Sequence, residues 1–174
     1  MLRPTDVRYS YYFDTTGGIL GSPVDAVDAN ANGWGEYLTA SPATGIRLIS
    51  FVESKFIEAE VKARMNAADA DVALNDAIMA SCTDVTNGVF DGSSIATYSG
   101  AIEVSRVIYE KWLALFGSGE PYNDYRRTGF PDLTPNPDGL LNVIPKRNLT
   151  PQAERINNPN APIPALTDPV WFAQ

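Results

Sequence analysis

The stretch RLISFVESKFIEAEVKARMNA, residues 47–67, decides the fold of this 174-residue chain. Its apolar residues recur at steps of three and four, which is the period of one face of an α-helix. Glu58 and Lys62 form a favourable i,i+4 pair, and the other charged residues lie mostly off the apolar stripe. We predict an amphipathic helix with a solvated charged face, and not a pair of catalytic carboxylates. The predicted buried face consists of Ile49, Val52, Phe56, Ala59 and Ala63.

A second helix is predicted in DADVALNDAIMASCTDV, residues 69–85, where Asp69 or Asp71 can cap the first turn. The intervening NAAD is so short that the two helices must pack as an antiparallel pair. Alanines in this helix would allow close approach of the two backbones. Its predicted buried face consists of Val72, Ala73, Ala77, Ile78 and Ser81.

The third predicted helix lies in AIEVSRVIYEKWLALF, residues 101–116, and Gly117 ends it. The residues predicted on its buried stripe are Val104, Ile108, Trp112 and Leu115. From Ser118 onward, frequent prolines exclude long helices, but interspersed apolar residues favour an ordered coat over the helices. We therefore predict a mainly α single domain, 1–174. It has a loop-rich lead-in at 1–44, helices at 45–117 and long irregular proline-rich loops at 118–174.

Composition restricts the possible functions. The net charge is −8, which disfavours nucleic acid and anionic membranes as partners and leaves weakly charged ligands such as sugars. The sequence contains no histidine, and its single cysteine, Cys82, lies in a predicted helix. Because the commonest general base and metal ligand is missing, we expect no cofactor, and we expect Cys82 to be packed and unreactive. No segment has the length of a transmembrane helix, and the first residues lack the apolar region of a signal peptide.

Two motifs allow both a structural and a ligand-binding interpretation. In YNDYRRTGFPDL, residues 122–133, Arg126 and Arg127 are expected just past a helix end. A guanidinium there can brace carboxylates and backbone carbonyls, which we favour, or recognise an anionic ligand. Aromatic residues among the glycines and asparagines of the lead-in can pin the loop to the body of the protein or stack on a sugar ring.

Four blocks together resemble the SusD/RagB family of nutrient-binding outer-membrane lipoproteins of Bacteroidetes-type bacteria. The blocks are RLISFVESKFIEAEVKAR, ALNDAIMASC, VIYEKWLALFGSGEPYNDYRRTGFPDL and IPKRNLTPQAERINNPN, in the order found in the family. The last two are the most specific. The resemblance covers only the C-terminal part of the family, so the chain looks like a fragment that lacks the lipoprotein signal and the lipidated anchor cysteine.

The resemblance implies a helical pair of tetratricopeptide-like type and non-catalytic capture of glycans or similar nutrients at the cell surface. The ligand would pass to a SusC-like TonB-dependent transporter in the outer membrane. Under this resemblance, Trp112, Arg126 and Arg127 are a structural signature, and no binding residue is carried over by motif.

On chemistry alone, Trp34 with Tyr37, Asn30 and Asn32 is the best candidate for a sugar site, because it combines stacking aromatics with amide groups. One alternative is a helical protein-interaction module without a ligand site of its own, recognisable by a large exposed apolar patch. A more remote alternative is a carboxylate-pair hydrolase. An exposed helical face would also permit a homodimer.

Overall fold

The computed structural model describes residues 6–15, 33–39, 47–93, 95–136 and 141–173. Within these ranges the chain is mainly helical, as predicted, and contains no β-strand. Seven helices are present there: α1 (Tyr9–Tyr12), α2 (Glu36–Thr39), α3 (Phe51–Arg64), α4 (Ala70–Val85), α5 (Val104–Ala114), α6 (Glu120–Thr128) and α7 (Gln152–Asn157). In the same ranges, no helix has the length and apolar character needed to span a bilayer.

The chain divides into two compact units, Met1–Pro121 and Tyr122–Gln174. In the first unit, α3 and α4 pack against each other and α5 packs on both of them. The tetratricopeptide-like character of the α3–α4 pair and the single-domain organisation stay predictions.

Helix α3 begins one residue after Ser50, whose hydroxyl oxygen accepts a hydrogen bond from the backbone N–H of Glu53 at 3.0 Å. This cap stabilises the first turn because it satisfies one of the N–H groups that lack a helical partner. The predicted stripe is confirmed for Val52, Phe56, Ala59 and Ala63, which are all buried. The prediction for Ile49 is wrong: it precedes the cap, outside the helix, and is 77% exposed.

Helix α4 buries Ala73, Ala77, Ile78 and Ser81 as predicted, together with Leu74 and Cys82. Val72 is 57% exposed, contrary to prediction, because the buried stripe of α4 runs through the neighbouring positions 70, 73, 74 and 77. Neither predicted cap forms in the usual way. The carboxylate of Asp69, at the N-cap, accepts from Lys62 Nζ at 2.9 Å, and the carboxylate of Asp71 accepts from the backbone N–H of Gly100 at 2.8 Å.

Helix α5 presents a different face from the predicted one. Ile108 is buried as expected, but the other buried apolar residues of the helix are Val107, Leu113 and Ala114. Val104, Trp112 and Leu115 are only partly buried. The buried positions of α5 are offset by about one residue from the predicted positions, so a different side of the helix faces the core. Gly117 has φ +85° just after the helix end, and a Cβ there would lie 2.7 Å from Leu38 Cδ2.

The lead-in was predicted to be extended or loop structure, but its described part contains α1, α2 and one antiparallel β-bridge between Phe13 and Trp34.

Arg8, 1% exposed, anchors the lead-in in the core. Its guanidinium contacts both carboxylate oxygens of Asp6, at 3.0 and 2.8 Å, and Glu110 Oε2 at 3.4 Å. The carboxylate of Glu110 also accepts from the hydroxyl of Tyr98 at 2.6 Å. Burial raises the pKa of Tyr98 to about 12, and the bond to Glu110 adds to the rise.

The second unit was predicted to be irregular, yet α6 continues into it as a regular helix and α7 follows. Pro121 is tolerated in α6 because it lies in the first turn, where its missing N–H is not needed. The backbone oxygens of the irregular segments accept hydrogen bonds from side chains. The hydroxyl of Tyr122 donates to Pro145 O at 2.9 Å, and Arg147 Nη2 donates to Pro169 O at 2.8 Å.

Candidate functional site

The segment around Trp34 is held against the segment that follows α1. The backbone N–H of Gly35 donates to Tyr12 O at 2.7 Å, and that of Asp14 donates to Gly33 O at 3.0 Å. The contact at Gly35 is very close, since a Cβ at this position would lie 2.2 Å from the backbone oxygen of Tyr11. Glycine is therefore required here for the two segments to approach, and this approach fixes where Trp34 lies.

Trp34 is part of an aromatic platform, which we define as Phe13, Trp34 and Phe116. The Trp34 and Phe13 rings are stacked, with centroids 6.4 Å apart and an interplanar angle of 23°. Phe116 lies 5.9 Å from Trp34 and 5.2 Å from Phe13. Trp34 remains 64% exposed, so an indole supported by two phenyl rings is presented to solvent.

Tyr37 lies just after Trp34, in α2, but it is oriented differently. Its ring packs edge-on against buried Tyr12 at 5.5 Å, and its hydroxyl donates to Asp84 Oδ2 at 3.1 Å. Burial raises the pKa of Tyr37, and the nearby Asp84 carboxylate raises it further. Tyr37 is therefore a neutral side chain that is bonded to α4 and packs on Tyr12, which in turn contacts Phe116 of the platform.

The same Asp84 oxygen accepts from Arg47 Nη1 at 2.6 Å, and this bond raises the pKa of the guanidinium. Arg47 and Asp84 lie at one side of a cleft between the start of α3 and the second half of α4. The cleft has a volume of about 490 Å³. Its apolar wall comprises Phe51, Val52, Met79 and Ala80.

Among the four residues predicted for the sugar site, Trp34 and Tyr37 occur in one segment with different surroundings. Asn30 and Asn32 lie outside the described residues. Sequence reasoning missed Phe13 and Phe116, the two rings that support Trp34. Phe13 was visible in the aromatic run YSYYF, and Phe116 precedes the helix-ending Gly117, but nothing in either pattern indicates that they meet.

The geometry can now be compared with known proteins. A SusD-like family model described as "starch-binding associating with outer membrane" matches residues 3–151. The chain belongs to this SusD-like family. No curated protein and no solved structure gives a significant match.

Family membership confirms the resemblance to SusD-like proteins, and the match includes the first three sequence blocks and the start of the fourth. The mainly helical structure agrees with it. The match begins at residue 3, so it includes the lead-in that carries Trp34 as well as helices α3 to α5. The SusD-like family is a family of binding proteins associated with the outer membrane, which makes glycan binding the coarse function to test.

The arginine pair of this SusD-like chain lies in the last turn of α6, so the prediction that it follows a helix end is wrong. The guanidinium of Arg126 lies over the rings of Tyr122, at 4.6 Å, and Phe172, at 5.3 Å, and donates to Asn123 Oδ1. Arg127 Nη2 contacts Asp124 Oδ1 at 2.8 Å. These contacts favour bracing within the second unit over capture of an anion.

Trp112, the other residue of the expected signature, is partly buried in α5, and its ring lies 6.3 Å from that of Tyr109.

The core residue Cys82 is fully buried, and burial raises the pKa of its thiol to about 11. A thiol with a raised pKa is a poor nucleophile at neutral pH. In the part of the chain that the structure describes, no group of His, Cys, Asp or Glu is arranged to hold a metal ion.

Proposed function

We propose that this SusD-like chain binds glycans at the outer membrane without altering them chemically, and that it passes them to a SusC-like TonB-dependent transporter. The family description, starch-binding and associated with the outer membrane, supports the ligand class and the location. That description names binding and names no reaction, which supports a non-catalytic role. The transporter as partner rests on the family resemblance.

The observation that carries the proposal is the exposed indole of Trp34 on its two supporting rings. One face of a sugar ring is largely C–H and packs on an aromatic surface, while its hydroxyls remain in water or bond to polar groups. Because Phe13 and Phe116 already order the indole, less side-chain entropy is lost when a ligand binds. The platform thus has the chemistry of a glycan-stacking site.

The experiment is a titration of the folded chain with soluble starch, malto-oligosaccharides and a panel of other glycans. Binding is followed by tryptophan fluorescence and by calorimetry, after circular dichroism has verified folding. A saturable response to one glycan class supports the proposal. A folded chain that responds to none of these glycans contradicts it.

A second candidate function, a helical protein-interaction module, is favoured by one specific observation. Large apolar side chains on and next to the α3–α4 pair are exposed. They include Leu48, Phe51, Ile57, Val61, Met65 and Val72. Monomeric proteins rarely expose contiguous apolar patches larger than a few hundred Å². Sedimentation of the isolated chain over a range of concentrations tests whether this surface mediates association.

A further inference from the structure

The cleft between α3 and α4 is separate from the aromatic platform, and its charges balance. Arg47 and Lys55 contribute two positive charges to the lining, and Asp76 and Asp84 contribute two negative charges. A site built for an anion or a cation would show an excess of the opposite sign. The balanced lining therefore favours a ligand without net charge.

The apolar wall of the cleft includes an aromatic ring that is open to solvent. Phe51, the first residue of α3, is 70% exposed, and Lys55 Nζ lies 5.9 Å from its ring centroid. On α4, Met79 lies on the same cleft. The cleft volume of about 490 Å³ falls within the range of roughly 300–1,000 Å³ typical of small-molecule sites.

The polar groups of the cleft can both accept and donate hydrogen bonds. Arg47 and Tyr37 both donate to Oδ2 of Asp84, and among the described residues none donates to Oδ1. Ser50 Oγ accepts from a backbone N–H, so its own O–H can donate to a ligand. A mixture of acceptors, donors and an apolar ring matches a neutral, polyhydroxylated molecule with one apolar face.

We propose that the cleft between α3 and α4 is a second sugar-binding subsite, in which Phe51 stacks on a sugar ring and Asp76 and Asp84 accept hydrogen bonds from its hydroxyls. This inference rests on the proposed glycan-binding function and extends it. Tyr37 connects the two places along the chain, since it lies in α2 just after Trp34 and its hydroxyl bonds to Asp84. The platform and the cleft lie on the same unit of the protein.

The test measures the affinity of the full chain for maltoheptaose and soluble starch by calorimetry. Phe51→Ala removes the stacking ring, and Asp76→Ala removes a carboxylate that lines the cleft. We expect each variant to weaken binding about tenfold, the size of effect expected for one good contact. The controls are Val72→Ala and Asp91→Ala, an exposed apolar residue and an exposed acidic residue outside the cleft, and we expect both to bind like the wild type.

Comparison with Trp34→Ala separates this inference from the proposed function. If Trp34→Ala weakens binding while Phe51→Ala and Asp76→Ala do not, the function stands and the second subsite is overturned. If the cleft variants weaken binding whatever Trp34→Ala does, the second subsite is supported. If the wild-type chain binds no glycan, both are overturned. If Phe51→Ala changes the sedimentation of the chain but not its affinity for glycans, the apolar wall of the cleft is a protein contact. The second subsite is then overturned.

Discussion

Gly35 determines where Trp34 lies, because the neighbouring backbone leaves no room for a side chain. A Cβ at Gly35 would lie 2.2 Å from Tyr11 O, whereas a Cβ at Gly33 would meet nothing within 4 Å. We predict that Gly35→Ala lowers the free energy of unfolding by about 1–3 kcal/mol, through overpacking, and weakens glycan binding. Gly33→Ala, on the other side of Trp34, should change stability by less than about 0.5 kcal/mol. Urea unfolding measures the stability and glycan titration the affinity of both variants. Equal stability and equal affinity of Gly35→Ala and Gly33→Ala would contradict this account.

Arg8 is the residue on which the lead-in most depends. Its buried guanidinium neutralises Asp6 and Glu110, whose carboxylates also lie in the protein interior. We predict that Arg8→Ala costs about 3–5 kcal/mol of unfolding free energy, because it leaves uncompensated buried charge. Lys62→Ala removes a cation from a more exposed network with Glu58 and Asp69, and should cost less than about 1 kcal/mol. If urea unfolding shows that Arg8→Ala loses no more unfolding free energy than Lys62→Ala, the ion pairs of Arg8 contribute little to stability.

The sequence could indicate Trp34 and Tyr37 as candidates, because aromatics among glycines and asparagines can stack on a sugar ring as well as pin the loop to the body of the protein. It could not indicate that Trp34 faces solvent while Tyr37 bonds to α4, since the deciding partners are distant in sequence: Phe116 follows α5, and Asp84 lies in α4. Arg8 gave no signal at all, because a single arginine beside tyrosines looks like a surface residue until Glu110 is placed next to it.

At the level of elements, α3 and α4 were predictable because their apolar residues follow the helical period over several turns. The errors fall at the ends, at Ile49 and Val72, where the period alone does not show which residue starts the helix or which side turns inward. Helix α6 was missed because the frequent prolines from residue 118 onward suggested irregular structure. Only the position of Pro121 in the first turn makes that helix possible.

The cap of α3 gives a prediction at this scale. Ser50→Ala removes the oxygen that accepts from the backbone N–H of Glu53, and we expect a loss of about 1 kcal/mol in unfolding free energy. Ser54→Ala is the matched control, since its hydroxyl bonds to the backbone oxygen of Phe51 at an exposed position. That control should change stability by less than about 0.5 kcal/mol. Equal denaturation midpoints for wild type and Ser50→Ala would argue against the cap.

For the whole molecule, the exposed apolar side chains of the α3–α4 pair predict self-association. A second copy of the chain is the simplest partner, because a twofold axis places the same exposed apolar side chains on both sides of the interface. We expect a concentration-dependent monomer–dimer equilibrium in analytical ultracentrifugation. Val61, 49% exposed on α3, is the residue to change.

Val61→Lys should shift this equilibrium to monomer, because it introduces a charge into the apolar face. Val89→Lys, at an exposed position after α4, should leave the equilibrium unchanged. A wild-type chain that remains monomeric at every concentration contradicts the predicted homodimer.

The central claim is that the chain binds glycans through its exposed indole, and one comparison tests it most directly. Calorimetric affinities for soluble starch and maltoheptaose are measured for the wild type, Trp34→Ala and Trp171→Ala. Trp171 is the matched control, an exposed tryptophan of the second unit that contacts Phe172. We predict a loss of about 2 kcal/mol, or ~30-fold in affinity, for Trp34→Ala and no change for Trp171→Ala. Unchanged affinity in Trp34→Ala, with wild-type binding intact, would contradict the claim.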